Sequence, residues 1–151
     1  MGVGVTYSFK DLVGSLINSA FGVTIPLTGG NVGFGKVTVV MDTERTEHMV
    51  AADGTVMPSY VAGDNGKAVF EVQQTSPLHH QLLDLYNLCV TAANNDDVGG
   101  WAATEIAFRT VLDGALHVLS GVSFGKLGDK PYEAHGQNVT WTLWAANVVN
   151  I

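Results

Sequence analysis

The sequence is short of charged side chains, and of positively charged ones in particular. Only 14% of its 151 residues are charged: seven are lysine or arginine, and fourteen are aspartate or glutamate. The basic residues are spread from Lys10 to Lys130 without forming a stripe, which argues against a protein that grips phosphates. Because 46% of the residues are hydrophobic, such sparse charge suggests that part of the surface meets another protein.

Cysteine and long apolar runs are also scarce. Cys89 is the one cysteine, so no internal disulfide can form, and we expect a reducing compartment. The sequence shows no positively charged leader followed by an apolar stretch, so we expect no signal peptide. Because no run of about 18 apolar residues occurs, we expect neither a membrane span nor membrane anchoring.

Alternating apolar and polar residues predict most of the secondary structure. Strands are expected at Lys36–Asp42, at Lys67–Thr75 and within Glu133–Val149, where every second residue is apolar. A further strand is expected at Ala115–Ser120, followed by a stretch from 121 to 130 that glycines interrupt. Residues 43–64 are interpreted as a long exposed hairpin or extended loop, because a turn-forming Asp-Gly dipeptide divides them in the middle.

One segment has the pattern of a helix. Ser76 and Pro77 form a helix start, with serine as the N-cap and proline at the first helical position. Helical spacing then places five apolar side chains on one face: Leu78, Leu82, Leu85, Tyr86 and Cys89. The predicted fold is mainly β, a two-sheet antiparallel β-sandwich or barrel with one flanking α-helix and a long extended hairpin. We expect a single domain over residues 1–151.

No catalytic or ligand-binding motif is complete in the sequence. Gly30 to Lys36 comes near the phosphate-binding loop pattern, but Val37 stands where serine or threonine must follow the lysine. The five histidines lack the spacing of a metal site, and no nucleophile motif or carboxylate pair stands out. We therefore predict no catalytic residue, no cofactor and no metal, and expect a protein that is not an enzyme.

An ordered series of short motifs resembles the tail tube subunits of contractile-tailed bacteriophages. The series begins at residues 7–11 (YSFKD) and continues with Ala52-Asp53-Gly54-Thr55 before a strand. It then includes Thr75-Ser76-Pro77 at the helix start and ends in the tryptophan-bearing strand at residues 139–142 (VTWT). The resemblance runs nearly from end to end of the chain, and it departs from the family pattern around residues 92–103.

The resemblance implies a structural protein that assembles with copies of itself. Subunits of this family form hexameric rings, and the rings stack into a hollow tube inside a contractile sheath, the conduit for genome delivery. Implied partners are the sheath, baseplate and tail terminator proteins and a tape measure protein in the lumen, with DNA passing transiently and without specific binding. The implied location is the phage tail of the virion, with assembly in the host cytoplasm.

The resemblance also directs attention to two sets of residues. The hairpin would reach the adjoining ring, and its candidate contact residues are Glu44, Arg45, Glu47, Asp53 and Tyr60. Candidates to face the lumen are Glu71, Gln73 and Glu105, because acidic charge on a channel wall would repel DNA. The same strand positions could instead be ordinary solvated ones, since alternation assigns a face without saying what that face meets.

Two other functions are open at this point. The chain could be a tube-like protein of a baseplate or of a related contractile injection or secretion system. From another class, it could be a small ligand-binding β-barrel whose apolar pocket is lined by Trp101, Trp141 and Trp144.

Overall fold

The computed structural model describes residues 8–28, 33–111 and 114–151. A short 3₁₀ turn at Phe9–Asp11 precedes the first strand, and one α-helix, α1, spans Pro77–Asn94. The strands are β1 (Leu12–Asn18), β2 (Val23–Thr28), β3 (Phe34–Met41), β4 (Thr46–Val50), β5 (Val56–Tyr60), β6 (Gly66–Gln73), β7 (Thr104–Thr110), β8 (Leu116–Leu127) and β9 (Asn138–Asn150).

Seven of these strands form one antiparallel sheet in the order β2-β1-β7-β8-β9-β6-β3. The sheet curls into a half-barrel, and β4 and β5 form a small second sheet. The curl brings Phe9, just before β1, to 5.7 Å from Phe34 at the start of β3, measured between ring centroids. The predicted fold class is confirmed: the protein is mainly β, with one helix and an extended hairpin.

The concave face of the sheet carries the hydrophobic core. On β6 the alternating residues Ala68, Phe70 and Val72 are buried, and on β9 so are Val139, Trp141, Leu143 and Ala145. Opposed residues of neighbouring strands point to the same face, so Phe70 and Trp141, which are paired in register, enter the core together. The period-two pattern of these two strands therefore predicts their buried face correctly.

Helix α1 covers this core as the sequence predicts. The Ser76 hydroxyl accepts a hydrogen bond from the His79 backbone N–H at 3.1 Å, and Pro77 occupies the first turn, where its missing N–H costs nothing. Leu78, Leu82, Leu85 and Cys89 are buried against the sheet. No helix among the described residues is long and apolar enough to cross a membrane.

Strand β8 is longer than the sequence analysis predicts. It continues past Ser120 to Leu127, through the glycine-rich stretch, because two glycines are built into its contacts with β9. Gly121 has a φ of +62°, which favours glycine. It lies at the point where the register of β8 with β7 shifts by one residue, as in a β-bulge. A Cβ on Gly125 would come within 2.9 Å of the Trp144 Nε1 atom, so glycine lets that indole lie across the strand.

Candidate assembly interface

Strands β4 and β5 form a hairpin that contributes no side chain to the core of the described residues. All ten of its strand residues are exposed. Met49 is 66% exposed, Met57 56% and Tyr60 77%. A two-stranded hairpin without a third element is at best marginally stable in water, so this hairpin has the properties of a surface that gains order from a partner.

The tip of the hairpin is closed by a hydrogen-bonded turn. The Ala51 N–H donates to the Thr55 carbonyl at 2.8 Å, and the Gly54 N–H donates to the Ala51 carbonyl at 2.9 Å. The Asp53 carboxylate accepts from the Thr55 N–H at 3.0 Å, and this backbone hydrogen bond lowers the pKa of Asp53. Gly54 has a φ of +90°, which suits glycine alone. The hairpin turn predicted at Asp53-Gly54 is confirmed.

Three contacts join the two sides of the hairpin to each other at its base. Arg45 forms an ion pair and hydrogen bond with Asp64, and these two effects raise the pKa of Arg45. The Val61 N–H donates to the Arg45 carbonyl at 2.9 Å, and the Thr43 hydroxyl donates to the Asn65 side-chain oxygen at 2.6 Å. These contacts hold the two sides of the arm together where it leaves β3 and β6.

Both faces of the hairpin carry apolar side chains. The register pairs His48 with Pro58 and Val50 with Val56 on one face. On the other face Met49 pairs with Met57, next to the pair of Glu47 and Ser59. Motif reasoning singled out the charged and aromatic residues here and missed these apolar pairs, although reading the alternation of β4 and β5 together would have found them.

The five predicted inter-ring residues are all exposed on or beside this arm. Glu44 and Arg45 lie at its base, Glu47 in β4, Asp53 at the tip and Tyr60 at the end of β5. The structure brings Arg45 and Tyr60 close enough for the tyrosine to add slightly to the raised pKa of the arginine. Their role in contacts between rings stays a prediction.

The predicted lumen residues lie on one face of the large sheet but on different halves of it. Glu71 and Gln73 on β6 and Glu105 on β7 all point away from the core, and β8 and β9 separate them. Around Glu71 the convex face is mostly polar, with Lys36, Thr38, Lys67, Gln73, Asn138, Thr140 and Thr142. We call this area the polar half. That these three residues face a lumen stays a prediction.

The polar half carries no excess of negative charge. Lys36 lies directly opposite Glu71 in the register of β3 and β6. Lys67 is 3.9 Å from a carboxylate oxygen of Asp42, and its ammonium group lies 4.8 Å from the centre of the exposed Trp144 ring. Each lysine thus has an acidic neighbour, and the surface is close to neutral.

Glu105 lies on the other half of the same convex face, which is more apolar, although Ser15 and Glu105 itself separate Ile17 from the rest. Six apolar side chains lie there together with Arg109: Val13, Ile17, Leu116, Val118, Val149 and Ile151. We call these seven residues the apolar patch. Val13 is 45% exposed, Ile17 43% and Ile151 75%. The patch escaped sequence reasoning because its members are far apart in the chain.

A buried histidine joins the helix to the sheet. The His79 Nδ1 atom accepts a hydrogen bond from the Trp141 indole N–H at 3.1 Å, so the ring is neutral with its proton on Nε2. The Nε2 atom is buried and has no hydrogen-bond partner within the part of the chain that the structure describes. Burial lowers the pKa of His79, and the charges of Lys130 and His80 lower it further.

The geometry does not favour a ligand-binding barrel or a metal centre. Trp141 is buried in the core, whereas Trp144 lies on the convex face of the same strand and is 46% exposed. Since the two indoles point to opposite faces, they cannot line one pocket with Trp101, which corrects that part of the sequence analysis. Within residues 8–28, 33–111 and 114–151, no group of three or more histidine, cysteine or acidic side chains is placed to hold a metal.

Comparison with known proteins identifies the family. The model of the bacteriophage PhiTE tail tube protein family matches residues 4–151. The chain belongs to this family. It is a family of structural tail tube proteins and not of enzymes, and the protein is accordingly a tail tube-like component of a phage tail or contractile injection system.

Solved structures of contractile injection systems share the fold at low sequence identity. The sheath/tube terminator of the extracellular system PVC, in its extended state, has a TM-score of 0.65 at 13% identity, over 99% of both chains. A chain of the PVC sheath-tube complex gives 0.61 at 14%, over 99% of this chain and 93% of that one. The tube-terminating cap of the anti-feeding prophage gives 0.63 at 12%, over 100% and 95%. No curated protein matches the sequence.

Proposed function

We propose that the protein forms hexameric rings that stack into a hollow tube inside a contractile sheath, the conduit through which a phage genome is delivered. The observation that carries the proposal is the hairpin of β4 and β5, which exposes apolar side chains on both faces and contributes none to the core of the described residues. Membership of the tail tube family supports it.

The edges of the large sheet support closure into rings. In the strand order of the described residues, β2 and β3 are the two end strands of the sheet. An unpaired strand edge is a template for another chain, and closing a ring through such edges removes them. Pro26 lies within β2 and lacks an N–H, so the junction at that edge would have one fewer hydrogen bond to make.

The polar half of the convex face suits the wall of a DNA conduit. Its threonine, asparagine and glutamine side chains offer no fixed charge, and its lysines have acidic neighbours. A near-neutral wall gives phosphates nothing to hold, so DNA would pass without specific binding. Glu71 and Gln73 would line this wall, whereas Glu105 borders the apolar patch and fits a lumen position less well.

The remaining partners follow from the proposed tube. Structural neighbours include a sheath/tube terminator, a sheath-tube complex, a tube-terminating cap and a baseplate. We propose that this subunit contacts a sheath, a baseplate and a tail terminator protein, with a tape measure protein in the lumen before DNA passes. Its location would be the tail of the virion, after assembly in the host cytoplasm.

The size of the smallest assembly tests ring formation. Native mass spectrometry and light scattering of the purified protein should find a hexamer, at a concentration low enough to prevent stacking. A subunit that stays monomeric across the accessible range of concentration would overturn the proposal.

A further inference from the structure

The hairpin and the apolar patch are two exposed surfaces of one chain that suit each other chemically. We infer that the hairpin of one copy docks on the apolar patch of a copy in the next ring. This inference rests on the proposed tube and adds the receiving surface, which the likeness of fold does not supply.

The hairpin brings acidic charge and apolar surface together. Apart from Asp42 and Asp64, which pair with Lys67 and Arg45, its segment carries the three carboxylates of Glu44, Glu47 and Asp53, which have no ion-pair partner among the described residues. One face of the arm holds Glu47 and, one row further along, the Met49–Met57 pair. Methionine is flexible and polarisable, which suits it to packing on a partner surface.

The apolar patch offers the complementary groups. Arg109 is exposed in the end row of the patch, between Val13 and Leu116 in the register, and no ion pair to it occurs in the described parts of the chain. Lys10, also exposed and without an ion pair there, lies at the same margin, since the adjacent Asp11 carbonyl accepts from the Val111 N–H. An acidic, apolar arm thus meets an apolar surface that contains two unpaired cations.

The row spacing that all β-sheets share lets one placement make both kinds of contact. On one face of a sheet, successive rows are two residues apart along the strand, about 7 Å. On the hairpin this is the distance from the row of Glu47 to the row of Met49 and Met57. On the patch it is the distance from the row of Arg109 to the row of Val118 and Val149. A single placement can therefore set Glu47 against Arg109 while the methionines cover Val118.

The contact is of the head-to-tail kind. The hairpin and the patch are different surfaces, so each copy contributes its hairpin to one neighbour and its patch to another. Contacts of this kind continue as an open stack where the rotation between copies does not close a ring. The hairpin cannot satisfy its own patch, because both are exposed in the same subunit.

Disulfide trapping between two variants tests this docking directly. Tubes are assembled from an equal mixture of Met57→Cys chains and Val118→Cys chains, one of them carrying a mass tag, and are then oxidised. Native Cys89 can stay, because it is buried and burial raises the pKa of its thiol. We expect disulfide-linked pairs of one tagged and one untagged chain, and no pairs in tubes of either variant alone.

Several results would overturn the docking. Tubes that form without mixed pairs, or that give Met57→Cys homodimers, would refute it while leaving the proposed function intact. Failure of the unmodified protein to form any ring or tube would refute the proposed function itself, and the docking with it. The two failures are therefore distinguishable.

Charge reversal provides a second, independent test. Arg109→Glu and Glu47→Lys should each raise the concentration needed for tube assembly at least about tenfold. A chain that carries both changes should assemble at a concentration close to that of the unmodified protein. Lys126→Glu is the matched control, since Lys126 is an exposed cation outside the patch, and it should leave that concentration unchanged. Two single variants that behave like the control would overturn the inference.

Discussion

At the scale of single residues, the least ordinary group in the core is His79. Its imidazole is neutral because burial opposes a charge and because Nδ1 already accepts the Trp141 indole proton. Protonating the ring would put a second N–H on Nδ1, where it would face the Trp141 N–H donor and break that hydrogen bond, while the Nε2 N–H stays buried without a partner among the described residues. The hydrogen bond from Trp141 to His79 links the sheet to the helix, and it forms only while the His79 ring is neutral.

The neutral state of His79 predicts a dependence of stability on pH. The folded-state pKa lies below the ordinary 6.5, so the unfolded chain binds this proton more readily. Above pH 6.5, the contribution of His79 to the free energy of unfolding should therefore be complete. That contribution should be lost as the pH falls toward the lowered pKa. Urea unfolding between pH 7 and pH 5 measures the slope.

Two variants isolate the histidine in that measurement. His79→Phe keeps a ring against Trp141 but cannot titrate, so part of the slope should disappear. His80→Gln removes the neighbouring, exposed histidine and should retain most of it. Equal slopes for the unmodified protein and His79→Phe would show that His79 does not contribute.

A second prediction at this scale concerns Glu71. Glu71→Lys would leave Lys36 without its opposite acid on the polar half and add another cation. If this half lines the lumen, tubes of the variant should bind linear DNA at least about tenfold more tightly than unmodified tubes, with a strong salt dependence. Co-sedimentation with DNA over a range of salt measures it.

Glu133→Lys is the control for that experiment, because Glu133 is exposed in the loop before β9 and gives the same change in net charge. Equal DNA binding by the two variants would place Glu71 outside the lumen.

At the scale of elements, the hairpin of β4 and β5 is separable from the rest of the molecule. It contributes nothing to the core, and its ends are adjacent, since Thr46 and Tyr60 are partners in the register. Its base holds through Arg45 and Asp64, which lie outside the strands. The subunit should therefore fold without the arm, while assembly should depend on it.

Deleting Glu47–Tyr60, with an Asn-Gly turn in its place, tests that separation. The free energy of unfolding should change by no more than about 1 kcal/mol, because no core side chain is removed. Rings should still form, but they should no longer stack. Denaturant unfolding reports the first result and electron microscopy the second. Tubes that still form from the deletion variant would contradict the role given to the hairpin.

The elements also show what sequence can and cannot predict here. The strand faces of β6 and β9 and the start of α1 follow from local patterns, because alternation and a Ser-Pro cap act within a few residues. The extension of β8 does not, since Gly121 and Gly125 fit the strand only against β9, which is distant in the chain. The apolar patch likewise depends on register between β1, β7, β8 and β9, which no local pattern gives.

At the scale of the whole molecule, the fold leaves several exposed surfaces that differ in shape and chemistry. The sheet ends in the edge strands β2 and β3, the convex face has a polar half and an apolar patch, and the hairpin projects from the base held by Arg45 and Asp64. Rings would close through the edge strands, and stacking would use the hairpin and the apolar patch. The polar half would form the neutral wall, so each surface would have one role. A subunit of a tube needs these three kinds of surface.

Negative-stain electron microscopy of the purified, unmodified protein tests this arrangement most directly. At raised concentration we predict long tubes of uniform width, built from stacked rings with six-fold symmetry in end-on views. Isolated rings that never stack would instead favour a tube-like protein of a baseplate or related injection system. A field of monomers at every concentration would contradict the proposed self-assembly.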